Sequence, residues 1–192
     1  MAIAKQDRRT EIRQTAKRLF KERGYAGTSM RDLAKEVGIE AASLYNHLSS
    51  KEELLHEMCF DIAEQFFVAF SGAVAAEKSP SKKLKAAIRA HIEVISSNLD
   101  ASTVFFHEWT FLKEPALAKF KKLRFQYEQG FREIIQKGID EKDFKEVNVK
   151  LAVFTIFSAL NATYDLYKSS EKLSQEEIVE SISNLLLKGL KK

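Results

Sequence analysis

Glu53-Leu54-Leu55-His56 puts a carboxylate and an imidazole one helical turn apart. That is the Glu-x-x-His spacing of di-iron helix bundles, whose sites need two such copies and further carboxylates. The positions three before His91 and His107 are Ile88 and Val104, so no second copy exists. Cys59, the single cysteine, follows His56 by three residues. Two ligands alone do not make a zinc site, and one thiol makes no disulfide. His107-Glu108-Trp109 sets another imidazole beside a carboxylate, without a nucleophile for the pair to activate. No glycine-rich phosphate loop and no G-x-S-x-G elbow occurs. The expectation is a protein with no metal, no cofactor and no catalytic centre.

Charge says more. Residues 1–51 hold 11 bases (Lys5, Arg8, Arg9, Arg13, Lys17, Arg18, Lys21, Arg23, Arg31, Lys35, Lys51) and 6 acids (Asp7, Glu11, Glu22, Asp32, Glu36, Glu40), a balance of +5. The chain as a whole carries +4, so the rest is close to neutral. The first quarter fits a polyanion partner, or else it is a solvated basic helix face. The 192 residues allow one or two domains at ~100–200 residues each. With 45% apolar and 30% charged residues a core can be buried. The longest apolar stretches, Phe66–Phe70 and Leu151–Ile156 (the second broken by Thr155), fall far short of the ~20 residues of a membrane span. No charged-then-apolar leader is visible, so the cytoplasm is the expected address and no membrane is expected as partner.

With 2 Pro and 7 Gly and few β-branched runs, the chain reads as all-α, with about nine helices. Ile12, Ala16, Leu19 and Phe20 form one stripe of a first helix over 7–23, closed by Gly24. Ser29 with Asp32 resembles a capping box opening a second helix, with Leu33, Ala34 and Val37 inward and Gly38 at its end. A third helix is expected over 41–48 on Ala41, Leu44 and Leu48. Ser50 with Glu53 opens a fourth, running to about 76. Ser79-Pro80 precedes a fifth, Asp100 caps a sixth, and Glu114-Pro115 precedes a seventh. Residues 140–146 read as a charged loop, 148–167 as an eighth helix, and Ser174 with Glu177 as the start of a ninth.

Two short helices joined by a glycine turn make the helix-turn-helix pattern. Its second helix must enter the major groove, so its outward residues near the N-terminus must be small or polar. Ala42, Ser43 and Asn46 meet that demand. The expected organisation is a helix-turn-helix domain over 1–50 and a larger helical domain over 51–192.

The run Thr28-Ser29-Met30-Arg31-Asp32-Leu33-Ala34, then Gly38-Ile39, Ser43-Leu44-Tyr45-Asn46-His47-Leu48 and Ser50-Lys51-Glu52-Glu53-Leu54, resembles the DNA-binding domain of the TetR family of one-component repressors. The detailed resemblance covers about 60 residues. It implies that Thr28 and Ser29 hold a phosphate, that Ala42, Ser43 and Asn46 approach base edges, and that Tyr45, His47 and Lys51 bind flanking phosphates. Two positions depart from the family. Glu40 stands where a hydroxyl cap is common, with the wrong sign for DNA, and Ala42 stands where glycine is common. Gly138, Phe144, Asn161, Tyr164, Tyr167, Leu173-Ser174 and Gly189 resemble a subgroup tied to acyl-CoA and to lipid or aromatic catabolism.

The family implies a homodimer built on the eighth and ninth helices, for which Phe154, Leu160, Ile178, Ile182 and Leu186 supply apolar surface. It also implies a small hydrophobic effector, an acyl-CoA or a fatty acid in the subgroup, whose binding releases a palindromic DNA operator. Thirteen of the 14 Phe lie after residue 51. A pocket would draw on Met58, Ile62, Phe66 and Phe67 of the fourth helix and on His91 and Ile95 of the fifth. Phe105, Phe106 and Trp109 of the sixth, Tyr127 of the seventh, and Phe157, Asn161 and Tyr164 of the eighth complete it. His91, Asn161 and Tyr164 would orient the ligand. The same residues would serve equally as ordinary core. The alternatives are a helical carrier or enzyme without specific DNA binding, and a non-specific nucleic-acid protein.

Overall fold

The computed structural model describes residues 2–167 and 173–191, with side chains from residue 8, so the side chains of Lys5 and Asp7 lie outside the described residues. The elements are α1 (Ala2–Arg23), α2 (Met30–Val37), α3 (Ala41–Leu44), α4 (Lys51–Ala75), α5 (Pro80–Ser97), α6 (Leu99–His107), a 3-10 turn (Trp109–Phe111), α7 (Ala116–Asp140), α8 (Val149–Asn161), α9 (Thr163–Leu166) and α10 (Gln175–Leu190). No strand occurs among the described residues. Taken as one interrupted helix, α8 and α9 leave nine α-helices among the described residues, as expected.

Local chemistry explains most boundaries. Ser29 and Asp32 make a full capping box at α2, as do Ser174 and Glu177 at α10. Gly38 ends α2 at φ 73°, a left-handed conformation that costs glycine nothing. Pro80 occupies the first turn of α5, where its missing N–H is no loss. Some boundaries differ from expectation. α1 begins at Ala2 rather than near Asp7. The third helix is α-helical only to Leu44; Asn46 N–H then bonds Ser43 C=O and His47 N–H bonds Leu44 C=O, a tighter winding that carries the chain to Leu48. The eighth helix breaks at Ala162, where the buried Thr163 hydroxyl donates to the Leu160 carbonyl at 2.7 Å.

The chain divides into two compact units, Met1–Ile62 with Asp100–Phe120, and Ala63–Leu99 with Lys121–Lys192. In the first, α1 packs on α2 and α2 on α3. Its core holds Ile12, Leu19, Phe20, Leu33, Leu44, Leu48, Leu54 and Leu55. In the second, α5 packs on α8, α9 and α10. By length and composition α4 could cross a membrane. Its Leu54, Leu55, Met58 and Ile62 instead belong to the core of the first unit.

The charged stretch after α7 is more than a solvated loop. Phe144 is fully buried, its N–H bonds Gly138 C=O at 2.9 Å, and it bridges to Lys191. A Cβ on Gly138 would lie 2.2 Å from the Phe144 ring. Gly138→Ala is therefore expected to destabilise the protein by about 1–3 kcal/mol through overpacking. Combining it with Phe144→Leu should cost less than the sum of the two single changes, read by urea denaturation. Strict additivity would mean the ring does not rest on that glycine.

The apolar face expected for dimerisation is partly misplaced. Leu160 and Ile178 are buried within the protomer, while Ile182 and Leu186 are half-buried. The exposed apolar residues are Leu151, Phe154 and Leu185, at 61, 70 and 75%. On α10 the inward stripe is Ile178, Val179, Ser183, Leu187 and Leu190, which turns Leu185 to the outside.

Candidate nucleic-acid interface and aromatic core

The turn between α1 and α2 is fixed from several sides. Gly24 takes φ 73°. The Tyr25 N–H donates to Glu108 at 3.1 Å, and the Tyr25 ring meets Phe111 at 5.3 Å. Lys51 Nζ donates to the carbonyls of Tyr25 and Thr28, each at 2.7 Å, and lies over the Tyr25 ring. The Thr28 hydroxyl donates to Gly24 C=O at 3.0 Å, and the residue is buried. Thr28 and Lys51, both expected at phosphates, thus have bonds within the turn. Thr28 faces inward, and the Lys51 ammonium binds the turn, both donating to backbone carbonyls of the segment that follows α1. Ser29 is exposed, its hydroxyl bonded to Asp32 at 2.5 Å. That contact holds the Asp32 carboxyl below its ordinary range.

Beyond Gly38 the outward face is small and polar. Ala42, Tyr45 and Asn46 are exposed, Ser43 and His47 half-buried, and Leu44 and Leu48 anchor the segment inside. Tyr45 is 55% exposed, an unusual position for an aromatic ring that has no inward role.

The basic excess is largely not a DNA-facing surface. Arg9 pairs with Glu53 at 2.8 Å and with Glu57. Arg13 reaches Glu57 and Asp61. Lys21 pairs with Asp100 and Arg18 with Glu36, each at 2.5 Å. Burial, with Arg13 next to it, pushes the Lys17 ammonium down. A basic column on α1 thus meets an acidic column on α4. Exposed pairs of this kind contribute ~0–1 kcal/mol each, so they set charge and register more than stability. Arg31 and Lys35, both exposed on α2, lie beside the outward face instead. Neither was among the expected contact residues, although both follow the Ser29 cap in the sequence.

The expected pocket residues fall in both units. In the second unit Phe66 stacks on His91 at 4.5 Å, and Tyr127 lies 5.5–5.6 Å from Phe66 and Phe67. Phe157 closes on Phe131 at 4.9 Å. His91 Nδ1 and the Tyr127 hydroxyl are 3.2 Å apart. Burial pushes His91 down to about 3, against the Asn161 amide, so the ring is neutral. Ile95 is buried, while Asn161 and Tyr164 are half-buried. In the first unit Met58, Ile62 and Phe105 are buried, Phe106 lies 5.1 Å from Phe105, and Trp109 lies 5.9 Å from Phe120.

The metal-like residues are otherwise employed. Glu53 accepts from Ser49 and Arg9, and His56 stacks on Phe60 at 4.2 Å. Cys59 is buried and pushed up to about 12 by burial and by Glu108, so it is a thiol rather than a thiolate. Among the described residues no group of three or more metal-ligating side chains forms.

Two family models match. One is the tetracyclin repressor-like C-terminal domain, over residues 77–190. The other is the N-terminal domain of bacterial regulatory proteins of the tetR family, over residues 12–58. The chain belongs to the TetR family. As a TetR-family chain it is 26% identical to the HTH-type transcriptional repressor KstR2 of Mycolicibacterium smegmatis over 185 residues, 95% of this chain and 90% of the relative. The ketosteroid regulator KstR2 of Mycobacterium tuberculosis shares the fold with a TM-score of 0.90 at 24% identity, over 96% of this chain and 95% of that one. AibR in complex with isovaleryl coenzyme A and operator DNA shares it at 0.83 and 24%, over 94% of this chain and 98% of that one. These TetR-family relatives are transcriptional regulators.

Proposed function

We propose that this chain is a dimeric repressor that binds a palindromic operator and is released by a small hydrophobic effector. The observation that carries the reading is the outward face of Ala42, Ser43, Tyr45 and Asn46 on a head whose entry turn is closed by Lys51, Thr28 and Glu108. Base contacts choose sequence and phosphate contacts fix register. Ala42, Ser43 and Asn46 take the first role. Ser29, Tyr45 and His47, with Arg31 and Lys35 beside them, take the second. The exposed Leu151 and Leu185 line an apolar groove with Ala152, Ile156 and Leu186 that suits a second copy, and the exposed Phe154 lies three residues after Leu151 on α8. Two such heads about one DNA turn apart, ~34 Å, read a palindrome. Work on chromosomal DNA places the protein in the cytoplasm, and the reading assigns it no catalysis.

The aromatic core around His91 and Tyr127 favours an apolar effector with an uncharged polar group, since a neutral imidazole and a phenol offer hydrogen bonds but no charge. The complex of AibR with isovaleryl coenzyme A supports a thioester as its class. An effector shifts the equilibrium only by its differential affinity for the two states.

The test is fluorescence anisotropy with the duplex upstream of the protein's own gene, against a scrambled duplex, with and without acyl-CoA thioesters. Preferential binding abolished by one thioester is the expected result. Equal weak binding to both duplexes would sink the operator reading for that duplex. Tyr45→Phe should weaken binding to all sequences alike, by about 0.5–1.5 kcal/mol. Asn46→Ala should lose about 1–3 kcal/mol of discrimination at one base position. An Asn46→Ala protein with the wild-type preference at every position would remove that residue from base reading.

A further inference from the structure

Glu40 is the acid that the DNA-binding head leaves unused. It is exposed and directly precedes α3, yet its carboxylate makes no capping bond to that helix. The other acids described between residues 8 and 53 are engaged. Glu11 pairs with Arg8, Glu22 and Glu36 with Arg18, Asp32 with Ser29, Glu52 with Lys113, and Glu53 with Arg9. Its backbone carbonyl accepts from the Ser43 and Leu44 N–H groups, but among the described residues its carboxylate has no hydrogen-bond or ion-pair partner.

The N-terminal residues of a recognition helix are the ones that meet base edges. An unpaired carboxylate there faces two phosphate strands and is repelled by both. Thymine O4 and guanine O6 and N7 are acceptors and add to the repulsion. The cytosine N4 amino group is a donor, and a carboxylate accepts from it well. Ala42 and Ser43 are small and leave the space beside Glu40 open to a base edge.

We infer that Glu40 is a specificity-determining residue that selects a cytosine in each operator half-site by accepting a hydrogen bond from its N4 amino group. This rests on the operator-binding reading above. The charge that weakens binding to DNA in general is the same charge that rejects the other bases at this position.

The experiment selects duplexes from a random pool with the full-length wild type, Glu40→Gln and Glu40→Ala, then titrates the wild-type winner and its single-base variants. Thermal melts confirm that the exposed substitutions leave the fold intact. The wild type is expected to require a C·G pair at one position per half-site and to lose roughly 5- to 100-fold in affinity when it becomes T·A. Glu40→Ala should bind the two duplexes within about 2-fold, Glu40→Gln should fall between, and both should bind scrambled DNA more tightly than the wild type. Preferences at the remaining positions should stay unchanged. If Glu40→Ala keeps the wild-type preference at every position, the Glu40 role is wrong while operator binding stands. If the wild type selects no sequence, the operator reading fails and takes this inference with it.

Discussion

Phe131→Ala is expected to cost about 3–5 kcal/mol, the typical penalty for emptying the space of a fully buried ring. Phe131 is 0% exposed, and its ring lies 5.1 Å from Phe70, 5.6 Å from Tyr127 and 4.9 Å from Phe157. Three neighbouring rings on separate helices cannot all move into the gap, so much of it stays empty. Domains of ordinary stability hold ~5–15 kcal/mol in total, so the loss is a large share. Urea unfolding of the whole protein gives the value. Phe125→Ala on the same helix is the control, because that ring is 58% exposed and its removal should stay within about 0.5 kcal/mol. A Phe131→Ala loss no greater than that of the control would mean the aromatic cluster is not packed as described.

The second large effect belongs to His91. Its pKa falls from 6.5 in a free chain to about 3, because burial penalises the charged ring. Between these values the unfolded chain holds a proton that the native protein lacks. Unfolding therefore takes up a proton, and acid favours it. The stability from the neutral ring is complete above pH ~6.5 and is lost as pH falls toward ~3, at about 1.4 kcal/mol per pH unit. His91→Gln keeps a hydrogen-bonding group near Tyr127 and removes the titration. It should be less stable than wild type at pH 7.5, and the gap should close by that slope between pH 6.5 and 4.5. Carboxylates titrate in both proteins and cancel in the difference. Parallel stability curves would show that His91 is not buried as the neutral form.

Much of this could be read along the chain. The capping boxes at Ser29 and Ser174, the glycines at 24 and 38 and the proline at 80 each depend on residues within four positions. Apolar spacing likewise placed Ile12, Leu19 and Phe20 inside. The type of each helix and the outward face of Ala42 and Asn46 follow from the same short-range order. Contacts that join distant residues were another matter. The basic count on α1 looked like a DNA surface until α4 brought Glu53, Glu57 and Asp61 against it, from more than 40 positions away. That Thr28 and Lys51, expected at phosphates, also close the turn between α1 and α2 depends on the same kind of contact.

The sequence by itself thus determined that the protein is helical, where most of its helices start and stop, and which short segment turns small and polar residues outward. These depend on backbone hydrogen bonds, side-chain caps and a periodicity of 3.6 residues, all of them local. Only the tertiary structure decided which charges are paired inside the molecule, that Leu160 and Ile178 face the core while Leu151 and Leu185 face out, and that among the acids described between residues 8 and 53 the Glu40 carboxylate alone lacks a partner. Coulomb attraction and burial act between whichever surfaces meet in space, and a linear pattern does not say which surfaces those are.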